Sequence, residues 1–437
     1  MSLAIWKKRL SVFAAGVLAA VSCIASDVTF DNDRLFDYFF YEAVEQGNRE
    51  NYAEAFDLLL YCLEINPESA AVRYELATYY MALGDRSKPG ELLREAVRLE
   101  PENYWYWQLL GTFYARQHQY ADAVSIYEKM AGRFPSRSDI LITLMTLYED
   151  NGQYSNALEV LRRIELLEGE SMQVTLQRFQ LYLEKNDIDS AYVTMKSNVE
   201  WAIETMSEAV TSLNELNSVR QMCRLALADS PDNLTLHYWN AVSDYRAGEK
   251  EKALADIEAG VGRIAPGCDS VAAARLYTLK GDFCYNDGRK MEETFAAYAR
   301  ALELNPSDNM TANNYAYFLS LDRRELKKAE SLSLRTIMEE PLNATYLDTY
   351  AWILFAQERY VEALEYIDRA VQCMDEPSAD VMEHCGDIHY MNGDVEGAVH
   401  YWHEAVELHS ESVTIEQKIL QQKYVEEDKL VEDELVE

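Results

Sequence analysis

The sequence predicts an all-α fold, built of about eleven helix-turn-helix units stacked into a solenoid and closed by a C-terminal capping helix. Two observations carry this. Tyr80, Tyr114, Tyr148 and Tyr182 stand 34 residues apart, and so do Pro67, Pro101 and Pro135, and Ala123, Ala157 and Ala191. A fixed period of that length marks stacked helix pairs, because one pair cannot bury its apolar face alone and needs neighbours on either side. The composition agrees, since 49% hydrophobic residues are ample for a continuous core running through 437 residues.

The stretch from Tyr104 to Pro135 shows one unit whole. A helix-sized run ends in polar residues, the chain turns at His118 and Gln119, and a second run closes at proline. Its markers Trp107, Leu110, Gly111, Tyr114, Ala123, Tyr127 and Pro135 resemble those of a tetratricopeptide repeat, with Met130 where a small residue is usual. The resemblance implies a right-handed superhelix in which the first helix of each pair lines the concave surface.

The N-terminal residues 1–25 read as a signal peptide: Lys7, Lys8 and Arg9 precede an apolar stretch from Leu10 to Val21 and then small residues. That stretch is too short to span a bilayer. Two processing sites compete. Cleavage after Ala25 gives a soluble exported chain, whereas Ala20 to Cys23 resembles a lipobox with Cys23 acylated. The layout suits a protein of the bacterial envelope, periplasmic or associated with the outer membrane, with the lipid as its only membrane contact. The six cysteines after Cys23 form no disulfide framework in a chain this long and read as small buried hydrophobes.

An N-terminal array spans 35–195. Its first unit carries Phe39, Ala43, Tyr52, Ala55, Leu59 and Pro67, and the next carries Leu76, Ala77, Tyr80, Gly84, Leu93, Ala96 and Pro101. Small residues at Ala43 and Ala55 let paired helices approach closely. Pro89 belongs in the first turn of a helix, where its missing N–H costs little. Gly84 and Gly152 mark turns. Between 196 and 233 the markers fade, leaving apolar spacing through Val199, Ile203, Met206, Val210, Leu213 and Leu216, a degenerate helical middle.

A C-terminal array over 234–410 restores the frame through Ala241, Gly248 and Ala253, then Gly281, Tyr298 and Ala301, then Ala316, Ala329, Ala351, Ala363, Gly386, Ala398 and Trp402. Ile264 to Ser270 reads as a lengthened loop. In the closing segment 411–437, Val413, Ile415, Ile419, Leu420 and Tyr424 give a helix an apolar side to lie on the last repeat, which an open-ended stack requires. Acidic residues dominate beyond Tyr424.

A formal net charge of −35 excludes nucleic acid as a partner, because phosphate binding needs a concentrated basic face. No phosphate loop, HExxH or GxSxG pattern is present, so no small-molecule substrate, cofactor or catalytic residue is expected. His384, His389, His400, His403 and His409 cluster near Cys385, Asp387 and Glu404, and imidazoles on adjacent helices bind zinc. Their spacing matches no known signature, however, and His389 takes the position of Tyr80 and Tyr114, which places it in the core.

By the tetratricopeptide register, the inward positions are Tyr74, Met81, Trp105, Gln108, Arg116, Ile142 and Glu149 in the first array. In the second they are Tyr317, Asp348, Trp352, Phe355, Asp387 and Tyr390. The aromatics among them are suited to anchor a protein or peptide in the groove, Trp105 and Trp352 foremost. Tyr74, Gln108 and Ile142 stand where one subtype of the family carries the lysines of a carboxylate clamp. The expected function is a non-enzymatic scaffold or adaptor for an envelope protein. The alternatives are a metal-binding or hydrolytic protein built on His384 to His409, and an assembly factor acting through its convex face or acidic tail.

Overall fold

The computed structural model describes residues 32–286 and 291–425; the stretch 1–25 expected to be a signal peptide, with Cys23, and the acidic run after Val425 lie outside them. The chain divides after Met195 into two compact units. The first stacks five pairs: α1 (Asn32–Asn48) with α2 (Tyr52–Ile65), α3 (Ala70–Ala82) with α4 (Lys88–Leu99), α5 (Tyr104–Arg116) with α6 (Tyr120–Arg133), α7 (Ser138–Asp150) with α8 (Tyr154–Glu168), and α9 (Met172–Glu184) with α10 (Ile188–Met195).

The second unit opens on a 3₁₀ turn at Lys196–Asn198 and stacks six. These are α11 (Val199–Ala209) with α12 (Leu213–Asp229), α13 (Leu234–Arg246) with α14 (Lys250–Val261), α15 (Ser270–Asn286) with α16 (Met291–Leu304), α17 (Asn309–Leu321) with α18 (Leu326–Glu339), α19 (Ala344–Ala356) with α20 (Tyr360–Cys373), and α21 (Ala379–Met391) with α22 (Val395–Glu407). A short α23 (Ile415–Gln421) follows. The fold is an all-α array of helix pairs, with no strand among the described residues.

Short-range chemistry repeats with the period. The side chains of Ser69, Asn103, Asn233, Asp308 and Asn343 each accept a backbone N–H from the first turn of the helix they precede, satisfying a donor that the helix itself leaves orphaned. Ser212 and Glu215 form a reciprocal capping box at the start of α12, so the middle segment is regularly helical although its repeat markers are faint. Within pairs, the turn residues Gly84, His118, Gly152 and Asn186 all have positive φ, between 57° and 76°. Glycine and asparagine tolerate that conformation well, and the next residue's N–H then bonds back to Tyr80, Tyr114, Tyr148 or Tyr182. In these four pairs the periodic tyrosines therefore supply the carbonyls that end the first helix.

Packing within a pair is set by small residues facing large ones. A Cβ added at Gly111 would lie 2.6 Å from Tyr127, one at Gly281 would lie 2.9 Å from Tyr298, and one at Gly386 would lie 2.5 Å from Trp402. The aromatic of the second helix thus rests directly on the backbone of the first. Ala43, Ala77, Ala123, Ala157 and Ala191 fill other close approaches and are buried. Met130 is buried too, so the core accepts a flexible side chain where a small one was expected. Pro89 stands in the first turn of α4. The six described cysteines form no disulfide with one another; Cys62, Cys223, Cys284 and Cys385 are buried.

Candidate functional site

In the second unit the first helices of successive pairs touch: α17 packs on α19, and α19 on α21. Their shared face gathers several of the residues singled out from the sequence. Trp352 stacks on His384 with ring centroids 4.0 Å apart and planes 20° from parallel. Tyr317 lies 6.2 Å from the same imidazole, and Phe355 stacks on the other side of Trp352 at 4.7 Å. Tyr390 lies next to Trp402 at 6.1 Å.

Phe355 corrects the sequence reading. At 5% exposure it is core, covered by Trp352, Tyr360 and Tyr424, because the return of the C-terminal segment encloses a position that the repeat register alone leaves open. It is no anchor for a partner. Tyr317, Trp352 and Tyr390 are half-buried.

An open cavity of about 640 Å³ borders this face, with Asn313, Tyr317, Asp348, Asp375, Asp380 and His384 in its lining. Asn313 is buried and its Oδ1 has no hydrogen-bond partner. A second cavity of about 300 Å³ lies between Trp352, His384 and Asp387 on one side and Ser412, Lys418 and Tyr424 on the other. The walls are strongly charged. His384 Nδ1 lies 2.9 Å from Asp348 Oδ1. Burial alone would lower the pKa of this imidazole, but the carboxylates of Asp348, Asp387 and Glu383 outweigh it and hold the group above the usual histidine value.

Lys418, on α23, was not singled out from the sequence, and it joins the same network. Its Nζ donates to Glu383 Oε1 and Asp387 Oδ2, both at 2.7 Å. Burial pushes Asp387 up to about 6 against the pull of Lys418, while Glu383 is held below its usual value because Lys418 and two serine hydroxyls outweigh its burial. The sequence signal was present only as a polar residue inside an apolar pattern. Of the residues expected to seat the cap, Ile415 is buried and Ile419 half-buried, but Val413 and Leu420 are 71% and 84% exposed. The cap is held by the Lys418 ion pairs as well as by apolar contact.

In the first unit, Trp105 is 61% exposed on α5 and meets Tyr104 edge to face, with ring centroids 5.2 Å apart. Tyr74 and Gln108 are half-buried, Tyr74 packing on Tyr106 at 5.1 Å. Arg116 is exposed and, with Met81, Leu109 and Phe113, lines an open groove of about 540 Å³ between α3 and α5.

The histidine cluster does not converge. His384 is paired with Asp348, while His400 is 66% exposed beside Glu404, and His403 and His409 are exposed. Half-buried His389 lies between two carboxylates, with Nδ1 2.9 Å from Asp394 and Nε2 3.3 Å from Asp368. With Asp368 and Cys385, but not Asp394, it makes the one set of three among the described residues whose possible metal-donor atoms all lie within 4.8 Å. The same register position elsewhere bridges to the preceding pair without any such set: Tyr114 accepts from Arg94, and Tyr148 donates to Glu128. His389–Asp368 is the histidine version of that inter-repeat tie.

Two models of the family described as tetratricopeptide repeat match the chain, one over residues 74–138 and one over 114–177. Residues 74–177 thus match tetratricopeptide repeats. The chain is similar to a TPR repeat-containing protein of Methanocaldococcus jannaschii, 24% identical over 341 residues, which are 68% of this chain and 56% of the relative. The chain thus spans little more than half the length of that relative. Among solved structures, it is similar to a tetratricopeptide repeat protein from Parabacteroides merdae (15% identity, 64% of this chain and 97% of the other, TM-score 0.32). It is also similar to Pseudomonas aeruginosa pilF (18% identity, 52% and 98%, TM-score 0.41) and to yeast Tom70 (13% identity, 90% and 95%, TM-score 0.35). Tetratricopeptide arrays in general are scaffolds for protein partners rather than enzymes.

Proposed function

We propose that the protein is a non-enzymatic adaptor that holds a protein segment against the face formed by α17, α19 and α21. The observation that carries this reading is the convergence of Tyr317, Trp352 and His384 beside an open cavity whose lining includes Asp375 and Asp380. Aromatic side chains bury much area at low entropic cost, and the acidic walls select a neutral or basic segment, with charge acting mainly on the encounter rate. The exposed Trp105 of the first unit offers a second contact. We place the adaptor in the bacterial envelope, carried there by the signal segment and, through Cys23, by a lipid; this placement rests on Lys7, Lys8, Arg9 and the apolar stretch after them.

The test is a crosslinked pull-down from membrane-fractionated cells with the native chain beside Tyr317→Ala and Cys23→Ser, with mass spectrometry of the processed N-terminus. An envelope protein captured by the native chain and lost with Tyr317→Ala supports the face. Equal capture by both removes it. An unprocessed Met1 in the cytoplasm removes the envelope placement.

A further inference from the structure

The inner face of the last repeat already holds a lysine. Lys418 is 3% exposed, and its ammonium sits between Glu383 and Asp387, one helical turn apart on α21. Both carboxylates are themselves supported: Glu383 accepts from Ser410 Oγ at 3.1 Å and Ser412 Oγ at 2.7 Å, and Asp387 Oδ1 accepts from Trp402 Nε1 at 2.9 Å. Tyr424 lies beside the same ammonium, its ring centroid 5.5 Å away. A compact ammonium chelated by two braced carboxylates fits lysine; a planar guanidinium would need a coplanar bidentate partner instead.

The other contacts of the segment that delivers this lysine are few. Its helix is seven residues long, Ile415 is buried and Ile419 half-buried, Tyr424 packs on Phe355 at 5.5 Å, and Leu420 faces solvent. It also forms one wall of the cavity whose opposite wall carries Tyr317, Trp352 and His384. A buried charge that loses its partner is costly, so Glu383 and Asp387 favour whichever ammonium is on offer.

We propose that residues 411–425 are an internal stand-in for a lysine-bearing protein segment, and that such a partner segment displaces Lys418 to bind Glu383 and Asp387. The inference rests on the adaptor reading of the same face, and it adds the chemistry of the partner and a built-in competitor that sets a threshold for binding. The apparent affinity of any partner is reduced by the fraction of chains whose strap is closed.

The experiment uses the full-length chain and two fluorescein-labelled peptides, one copying residues 411–425 and one whose lysine stands in an unrelated sequence, Gly-Ser-Phe-Lys-Ala-Gly, read by fluorescence anisotropy. Lys418→Met, which removes the internal ammonium, should bind both peptides about tenfold or more tighter than the native chain. Adding Asp387→Asn should abolish the gain. Ile415→Ser, which loosens the strap and leaves the carboxylates untouched, should raise binding as well, so the result does not hang on one variant; circular dichroism confirms that each is folded. Binding of the strap peptide alone would show a private cap and overturn the proposal. Binding equal to that of the native chain, or none by either folded variant, would also overturn it. Capture of partners through Tyr317 that is unaffected by Lys418→Met would leave the adaptor reading standing while removing this inference.

Discussion

His384 Nδ1 and Asp348 Oδ1 stand 2.9 Å apart across the contact between α21 and α19, and both side chains are 10% exposed. The pair ties the last repeat to the one before it with a charge that depends on pH. Facing the imidazole are Asp348 from α19 and Glu383 and Asp387 from α21, the last two shared with Lys418 of α23.

The sign of that dependence follows from linkage. A histidine whose folded pKa is raised contributes its full stabilisation below its unfolded value of about 6.5, and loses it as pH rises through the folded value. Asp387, moved from 3.8 to about 6 by burial, acts in the same direction, since its protonated form is favoured in the fold and its contribution falls between those two values as pH rises. Thermal unfolding at about pH 6 and about pH 8.5 should therefore show Asp348→Asn destabilising more at the lower pH, by roughly 1.4 kcal/mol for each pKa unit of the lost histidine shift. A pH-independent difference would show that the pair carries no charge.

Gly111→Leu should cost about 3 kcal/mol or more, because even a Cβ there meets the Tyr127 ring at 2.6 Å and the ring is itself buried. Stacked repeats share interfaces, so the loss should spread to neighbouring pairs. Gly132→Ala, where a Cβ meets nothing within 4 Å, should be neutral or stabilising by up to about 1 kcal/mol. Chemical denaturation of the two variants separates them, and equal midpoints would refute the register.

The two tryptophans should behave differently on truncation to alanine. Trp105 is 61% exposed, so its loss should change stability by no more than about 0.5 kcal/mol while weakening partner capture. Trp352 is stacked between His384 and Phe355, so its loss should cost about 2–4 kcal/mol. Melting curves beside pull-downs read both effects, and an unfolded Trp105→Ala would show that residue to be structural.

Thiol reactivity should follow burial. Burial pushes Cys62 up to about 11 and Cys223 up to about 12, and it raises Cys385 as well, suppressing the reactive thiolate. Of the six described cysteines, only the half-buried Cys268 and Cys373 should react quickly with an aromatic disulfide in the native state. Rapid reaction of Cys223 would indicate that the α12 region opens.

The repeat architecture was legible because it is local chemistry repeated. Helix caps, left-handed turns and glycine-on-aromatic contacts all lie within one period, so the 34-residue step of tyrosine, proline and alanine was enough to give the pairs and their number. The site was only partly legible. Tyr317, Trp352 and Asp348 were placed on the inner face by register, and the structure gathers them around His384.

Two features escaped for one physical reason. Phe355 is buried by Tyr424, and Lys418 is buried by Glu383 and Asp387, contacts that reach across 69, 35 and 31 residues. No periodic pattern encodes whether the chain folds back over the face that the last repeat leaves unpaired. The sequence by itself determined the helix pairs, their count and their acidic character. Only the tertiary structure decided which inward residues stay open and which lysine neutralises the last repeat's carboxylates, because burial and charge pairing belong to neighbours in space rather than in sequence.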